Sequence, residues 1–256
     1  MLNKRHGAIL KLLQEEGALP LTALAQALAV SGETVRRDVR AMAEAGVVVR
    51  VHGAVGLAGQ TGEAPFDRRM RENAAAKRAI ARSMAEQIAD GDSLMLDTGT
   101  TTSFLARELL THRRLTVVTN SSDIARTLAT VNGNRVFMAG GELRGDSGAA
   151  LGASALDFIR SFAVQHAIIS AGAVDASGVM DFDLQEAEFA RMVLACGERR
   201  VVVTDASKFG RRGFIRVTGF DQVDQVLTEA PPPPDVAEAM GAAGAKLLLS
   251  GHPAET

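Results

Sequence analysis

The stretch Ser31-Gly32-Glu33-Thr34-Val35-Arg36-Arg37-Asp38-Val39-Arg40, continued by Val47-Val48-Val49-Arg50-Val51-His52-Gly53, decides how the N-terminal part of the chain is read. Ser31 suits a helix N-cap, because its hydroxyl accepts from a free backbone N–H of the first turn. Glu33 then stands where the helix dipole favours negative charge. Val35, Val39 and Met42 recur at helical spacing and form one apolar stripe. That stripe turns Arg37 and Arg40 outward, with Thr34 and Arg36 on the flanks. Gly46 supplies a left-handed stop. A helix backed by an apolar stripe and faced with arginines suits the major groove, where a guanidinium bonds guanine edges or neutralises phosphate.

The preceding segments complete a three-helix pattern. Ile9, Leu12 and Leu13 share one face of a helix over residues 4–16, broken by Gly17 and Pro20. Leu21, Leu24, Ala25 and Leu28 form a short second helix, and Ala29-Val30-Ser31 turns the chain into the third. After Gly46 a β-branched run with a turn at His52-Gly53 reads as a hairpin, giving a winged helix-turn-helix over residues 1–57. Ser31, Thr34, Arg36, Arg37, Arg40, Arg50 and His52 are the expected DNA contacts, with Arg50 and His52 on the phosphate backbone. Winged modules gain affinity by pairing, so a homo-oligomer of at least two chains, a dimer or tetramer, is expected.

Charge follows this division. The 256-residue chain has a net charge of −2, yet residues 1–78 carry 12 Lys/Arg against 8 Asp/Glu, and residues 79–256 carry 16 against 22. The basic part coincides with the expected DNA module, and the acidic remainder stays off phosphate. Cys196 is the single cysteine, which excludes an intrachain disulfide or a cysteine-based zinc site and fits a reducing cytoplasm. Neither a signal peptide nor an apolar run long enough for a bilayer is evident, so no membrane partner is expected. The five histidines are scattered without ligand spacing, and no metal or cofactor is implied.

Residues 58–72 read as a linker and residues 73–256 as a second domain. A long helix is expected from Phe66 to about Ala89, with Ile80, Met84 and Ile88 at spacing four, and the segment Asp67 to Ala89 is the candidate coupler between domains. Beyond it, apolar strands alternate with helices: strands at Ser93–Asp97, Leu115–Thr119, Val136–Ala139, Ala167–Ser170, Val201–Thr204, Gln225–Thr228 and Lys246–Leu249, and helices around Phe104–Leu110, Ile124–Thr130, Leu156–Phe162 and Leu184–Ala195. The fold class is therefore α/β, with a winged helix-turn-helix followed by a doubly wound, mostly parallel sheet.

Ligands of such sheets bind at the carboxyl ends of strands. There the chain places Asp97-Thr98-Gly99-Thr100-Thr101-Thr102-Ser103, Thr119-Asn120-Ser121, Gly140-Gly141 and Asp205-Ala206-Ser207-Lys208. A Gly/Thr loop opening a helix can surround an anion with N–H and hydroxyl groups, while Asp and Asn suit hydroxyls. Asp97, Gly99, Thr100, Thr101, Thr102, Asn120, Gly140, Gly141, Asp205 and Lys208 are thus the expected pocket for a phosphorylated sugar or polyol. The Walker and dinucleotide fingerprints are both absent from this loop. An alternative is a sugar-phosphate isomerase or hydrolase carrying a DNA-binding module, with Asp97, Asp181, Glu186 or Asp205 as general base. The regulatory reading assigns no catalytic residue.

These segments resemble the DeoR family of bacterial transcription regulators over nearly the whole chain. The similarity runs through Val30 to Val39, Arg50-Val51-His52-Gly53, Asp97-Thr98-Gly99-Thr100-Thr101, Val118-Thr119-Asn120, Ala139 to Arg144 and Asp205 to Gly210. The resemblance implies a sensor fold akin to ribose-5-phosphate isomerase, a phosphorylated sugar-like effector, and repression of a catabolic operon until that effector binds. Leu156-Asp157-Phe158-Ile159, Gly178 to Asp183 and Thr228 to Pro233 resemble the branch that controls glycerol-3-phosphate regulons. One departure stands in the wing: the family usually has a second glycine after Gly53, where this chain has Ala54. A positive φ there would make alanine costly.

Overall fold

The computed structural model describes residues 4–16, 19–51, 54–57, 63–211 and 213–251, apart from the side chains of residues 14–16 and 51. Gly17, His52 and Gly53 lie outside the described residues, as does most of the expected 58–65 part of the linker. The chain divides into two compact units, the first holding residues 1–64 together with 212–214 and the second holding the remainder from Pro65 onward.

In the first unit, helices α1 (Lys4–Glu16), α2 (Leu21–Ala27) and α3 (Gly32–Glu44) are joined by short turns. Strand β1 (Leu19–Pro20) precedes α2, and β2 (Val48–Val51) and β3 (Ala54–Leu57) follow α3. β3 is central, antiparallel to both neighbours, with Val51 opposite Ala54 and Pro20 opposite Ala54 on the other side. Pro20 therefore does more than end a helix: it occupies an edge strand, where a missing N–H is tolerated. Ile9, Leu13, Leu24, Val35, Val39, Met42, Val48 and Val55 form the core. Burying a Val, Leu or Ile side chain contributes about 1.5–3 kcal/mol before chain entropy is counted, so this small core suffices only because nearly every apolar position joins it.

The turn between α2 and α3 has a strained corner. Ala29 has φ 51°. The N–H of Ala29 donates to Gln26 O and that of Val30 to Ala25 O, both at 3.1 Å. This paired closure normally recruits glycine at the left-handed position.

The second unit begins with α4 (Phe66–Arg71) and α5 (Ala74–Ala85). The long helix expected here is therefore two, because Asn73 sits between them in the left-handed region, at φ 53° and ψ 30°. The linker expected to reach residue 72 thus holds a formed helix. The alternating region follows with β4 (Ser93–Leu96), α6 (Thr100–Glu108), β5 (Thr116–Thr119), α7 (Ser122–Leu128), β6 (Arg135–Met138), α8 (Ala153–Ile159) and β7 (Val164–Ser170). It continues with β8 (Ala173–Asp175), β9 (Gly178–Asp181), α9 (Leu184–Ala195), β10 (Gly197–Val203), β11 (Ile215–Thr218), β12 (Gln225–Thr228), α10 (Pro234–Ala243) and β13 (Lys246–Leu249).

Seven strands form one sheet in the order β13-β12-β10-β7-β4-β5-β6, parallel at every pairing. Helices cover both faces, and two apolar clusters fill the layers, one around Met95, Ile169, Val202 and Phe189, the other around Leu94, Leu96, Ile168 and Leu105. Adjacent residues of one strand thus serve opposite faces, as strand alternation requires. A second sheet, β11-β9-β8, is antiparallel and was not expected from the sequence. Among the described residues, no helix is long and apolar enough to cross a membrane.

Ala29→Gly tests the strained corner. A left-handed alanine costs about 1–2 kcal/mol, and glycine's greater unfolded-state entropy returns about half of that. The substitution is expected to stabilise the protein by about 0.5–1 kcal/mol, read from its chemical-denaturation midpoint. A lower midpoint would refute the strain.

Candidate functional site

The first candidate surface is the outer face of α3. Ser31 caps it as the sequence suggests: its Oγ accepts from the Thr34 N–H at 3.3 Å and lies 2.9 Å from Thr34 Oγ1. Gly46, at φ 68°, closes the other end, with Gly46 N–H to Ala43 O and Val47 N–H to Met42 O, both at 2.9 Å. Val35, Val39 and Met42 are fully buried, while Arg36, Arg37, Arg40 and Arg50 are exposed. Arg36 pairs with Glu33 at 3.3 Å and Arg40 with Glu44 at 3.1 Å. Arg37 has no ion pair among the described residues. Ala54 is a ladder residue of β3, opposite Val51 on one side and Pro20 on the other. His52 lies outside the described residues.

Asp38 was not singled out from the sequence as a structural residue. It belongs to the buried side of α3, where both carboxylate oxygens accept from Arg5 of α1 and His6 Nε2 lies 3.5 Å away. The Arg5 hydrogen bonds, with its charge, hold the Asp38 carboxyl below the usual carboxylate range. An Asp at the i+3 position from Val35 breaks an otherwise apolar stripe, which was the available signal. Here a charge-assisted, two-pronged bond fixes the helix that presents the arginines.

The second candidate surface lies along the carboxyl edge of the parallel sheet. β4 ends at Asp97, whose Oδ2 accepts from the Ser170 N–H at 3.0 Å, with Ser170 Oγ at 3.4 Å. Burial pushes the Asp97 carboxyl up to about 7, against the Ser170 N–H bond, and the nearby charge of Asp181 adds to the rise. Gly99 opens α6 in extended backbone. A Cβ on it would stand 1.9 Å from Ser170 Oγ and 2.7 Å from Ser170 Cβ, so only glycine lets these strand ends close together.

Thr100, Thr101 and Thr102 are buried in the first turn of α6, where N–H groups have no intrahelical acceptor. Their hydroxyls are not equivalent. Thr102 Oγ1 lies 3.0 Å from both Asp97 O and Gly99 O, so its proton closes the loop on itself. Asn120 is likewise a brace: its Oδ1 accepts from Thr98 Oγ1 at 2.9 Å and its Nδ2 donates to Ala150 O at 3.0 Å. Gly140 and Gly141 are exposed after β6, with Gly141 at φ 148°.

At β10 the chain ends in buried Asp205 and a buried Lys208. Asp205 Oδ1 accepts from Asn73 Nδ2 at 2.9 Å and from the Ser207 N–H at 3.2 Å, whereas Oδ2 is buried with no partner among the described residues. Asp97 and Asp205 stand on strands separated by β7 alone, roughly 10 Å apart at ordinary strand spacing.

Several residues of this edge escaped the sequence reading. Ser170 does so because nothing local marks it. Glu229 does so although it caps the Asp205 loop, accepting from the Ala206 N–H at 3.0 Å. Arg144 stood inside the Gly-Gly motif without an assigned role. It donates to Asp183 at 2.9 Å, Glu186 at 3.0 Å and Gln185 at 2.9 Å, tying the Gly140 loop to the start of α9. Glu186 is thereby engaged with a cation rather than standing as an isolated base.

Two family models match the chain. A DeoR-like helix-turn-helix domain covers residues 5–61, and a DeoR C terminal sensor domain covers residues 72–230. The chain belongs to the DeoR family. The glycerol-3-phosphate regulon repressor of Escherichia coli (strain K12) is 34% identical over 93% of this chain and 94% of its own length. The HTH-type transcriptional repressor CsqR of the same organism is 33% identical over 90% of this chain and 89% of its own. Ribose 5-phosphate isomerase A from Neisseria gonorrhoeae aligns over 53% of each chain at 18% identity with a TM-score of 0.39. This DeoR-family chain is a DNA-binding transcription regulator, and its relatives give no support to the isomerase alternative.

Two outcomes test the edge geometry. Gly99→Ala is expected to lower the thermal midpoint by several degrees, and Ser170→Gly introduced beside it to restore most of the loss; no recovery would refute the Gly99–Ser170 contact. Asp97 ionises near 4 unfolded and near 7 folded, so the native state holds an extra proton between those values. Stability therefore falls as pH rises from about 4 to about 7 and is level above. Asp97→Asn is expected to stabilise at pH 8, by up to roughly 4 kcal/mol for a carboxyl moved that far, and to change little at pH 4. Equal effects at both pH values would contradict this.

Proposed function

We propose that this DeoR-family regulator is a homo-oligomeric, cytoplasmic repressor of a sugar or glycerol catabolic operon, released from its operator by a phosphorylated sugar or polyol. The observation that carries the DNA half is the division of α3, with Val35, Val39 and Met42 buried and Arg36, Arg37 and Arg40 exposed between a serine cap and a glycine stop. Thr34, Arg36, Arg37 and Arg40 meet the major groove, Ser31 orders the helix start, and Arg50 and His52 meet the backbone.

The effector half rests on the carboxyl edge of the sheet. The first-turn N–H groups of α6 at Thr100 and Thr101 receive the phosphate. Asp97, Asp205 and Lys208 address hydroxyls and charge beside it, while Gly99, Thr102 and Asn120 hold the loop in shape and the Gly140–Gly141 loop borders it. Glycerol 3-phosphate is the first effector to try, since the relatives at 34% identity are named for its regulon.

The test uses a duplex selected from a random pool by the wild-type protein. Arg37→Ala is expected to weaken binding at least tenfold and to reduce the salt slope of log K by about one, with an unchanged circular-dichroism spectrum. Glycerol 3-phosphate is expected to raise the thermal midpoint of the wild type and weaken its duplex binding. Full affinity in Arg37→Ala would sink the DNA-face assignment; an unchanged midpoint and affinity would sink that effector.

A further inference from the structure

Asn73 joins two features of the second unit, the α4–α5 junction and the Asp205–Lys208 loop. It stands at the junction of α4 and α5, and α4 is the first element after residues 1–64 of the DNA-binding unit. Its Nδ2 donates to Asp205 Oδ1 at 2.9 Å and to Ser207 Oγ at 3.1 Å, across 132 and 134 positions of sequence. The residue type is doubly specified. Asparagine tolerates the left-handed backbone at φ 53° better than other side chains with a Cβ, and its amide supplies donors that aspartate lacks. Glycine would satisfy the backbone alone.

The same junction is anchored from its other side. Lys77 is buried, and its ammonium donates to the main-chain carbonyls of Arg69 and Glu72 at the end of α4. The Lys77 N–H in turn donates to Asn73 O at 3.0 Å. A six-residue helix has little stability by itself, so the order of α4 depends on these ties. One of them ends on Asp205, whose second oxygen is buried, unpartnered among the described residues and part of the candidate effector loop.

We propose that Asn73 is the relay between the effector loop and α4. This rests on the reading of the Asp205–Lys208 loop as part of the effector site. A ligand hydroxyl that donates to Asp205 Oδ2 draws on the carboxylate that Asn73 holds through Oδ1. Each added donor withdraws charge from the shared acceptor, so ligand occupancy loosens the Asn73 bond and with it the end of α4. Asn73 is a positioning residue here: it acts through Asp205 and need not touch the ligand.

Hydrogen exchange on the full-length protein decides it. Asn73→Gly keeps the backbone conformation and removes the amide; it is expected to speed exchange of the amides of residues 68–72 about tenfold, the loss of one hydrogen bond to a carboxylate. In an Asp205→Ala background, the same change is expected to speed exchange less than threefold, because the charged acceptor is already gone and the neutral Ser207 Oγ alone remains. An equal factor in both backgrounds overturns the relay, as does unchanged exchange in Asn73→Gly. Glycerol 3-phosphate is the probe for the ligand arm. Where calorimetry shows that it binds, faster exchange at 68–72 in the wild type, with no further acceleration in Asn73→Gly, supports the relay, and binding without any change overturns it. Absence of binding heat overturns glycerol 3-phosphate as the effector, and the Asn73/Asp205 cycle then decides the relay alone.

Discussion

Parallel pairing at every position of the seven-stranded sheet is the constraint on which the second unit depends. It brings all seven carboxyl ends to one edge, so residues as distant in sequence as Asn73, Asp97, Asn120, Ser170 and Asp205 become neighbours or near neighbours there. The edge also demands close approach. Gly99 and Ser170 come together at a separation that excludes a single methyl group, and that approach delivers the Ser170 N–H to Asp97. Polar groups at this edge are thus held mostly by one another, leaving few atoms, Asp205 Oδ2 among them, uncommitted.

The two units use buried carboxylates in opposite ways. Asp38 faces a guanidinium across two hydrogen bonds and is held ionised. Its stabilising contribution is present above the ordinary carboxylate range and fades as acid protonates it, so the α1–α3 tie is insensitive to pH near neutrality. Asp97 has no such cation beside it among the described residues, and burial pushes its carboxyl up to about 7. One carboxylate therefore serves as a fixed rivet beneath the arginine helix, and the other sits at a balance that a proton can tip.

Much of this was legible in the sequence because it is encoded locally. The Ser31 cap, the Gly46 stop, the stripe at Val35, Val39 and Met42, and the strands at Gln225–Thr228 and Lys246–Leu249 all follow from spacing and residue type. What escaped depends on distant partners. The role of Ser170 comes from Asp97, 73 positions away, and that of Asp38 from Arg5, 33 positions away. The β8–β9–β11 sheet escaped because it stands outside the regular strand–helix alternation, and because β9 finds its partner in the sequence-distant β11 rather than in a neighbouring segment. The break at Asn73 escaped because apolar spacing continues across it while the backbone does not.

The exposed ion pairs on α3 bear on how such a helix finds its target. Arg36 and Arg40 each carry a glutamate partner from the same helix, and Arg37 alone among the three has none among the described residues. Each pair is weak, about 0–1 kcal/mol, so either arginine exchanges its glutamate for another acceptor at little cost. Under the proposed function, Arg36 or Arg40 must give up its own carboxylate to bond a base edge, so the base contact has that exchange to repay.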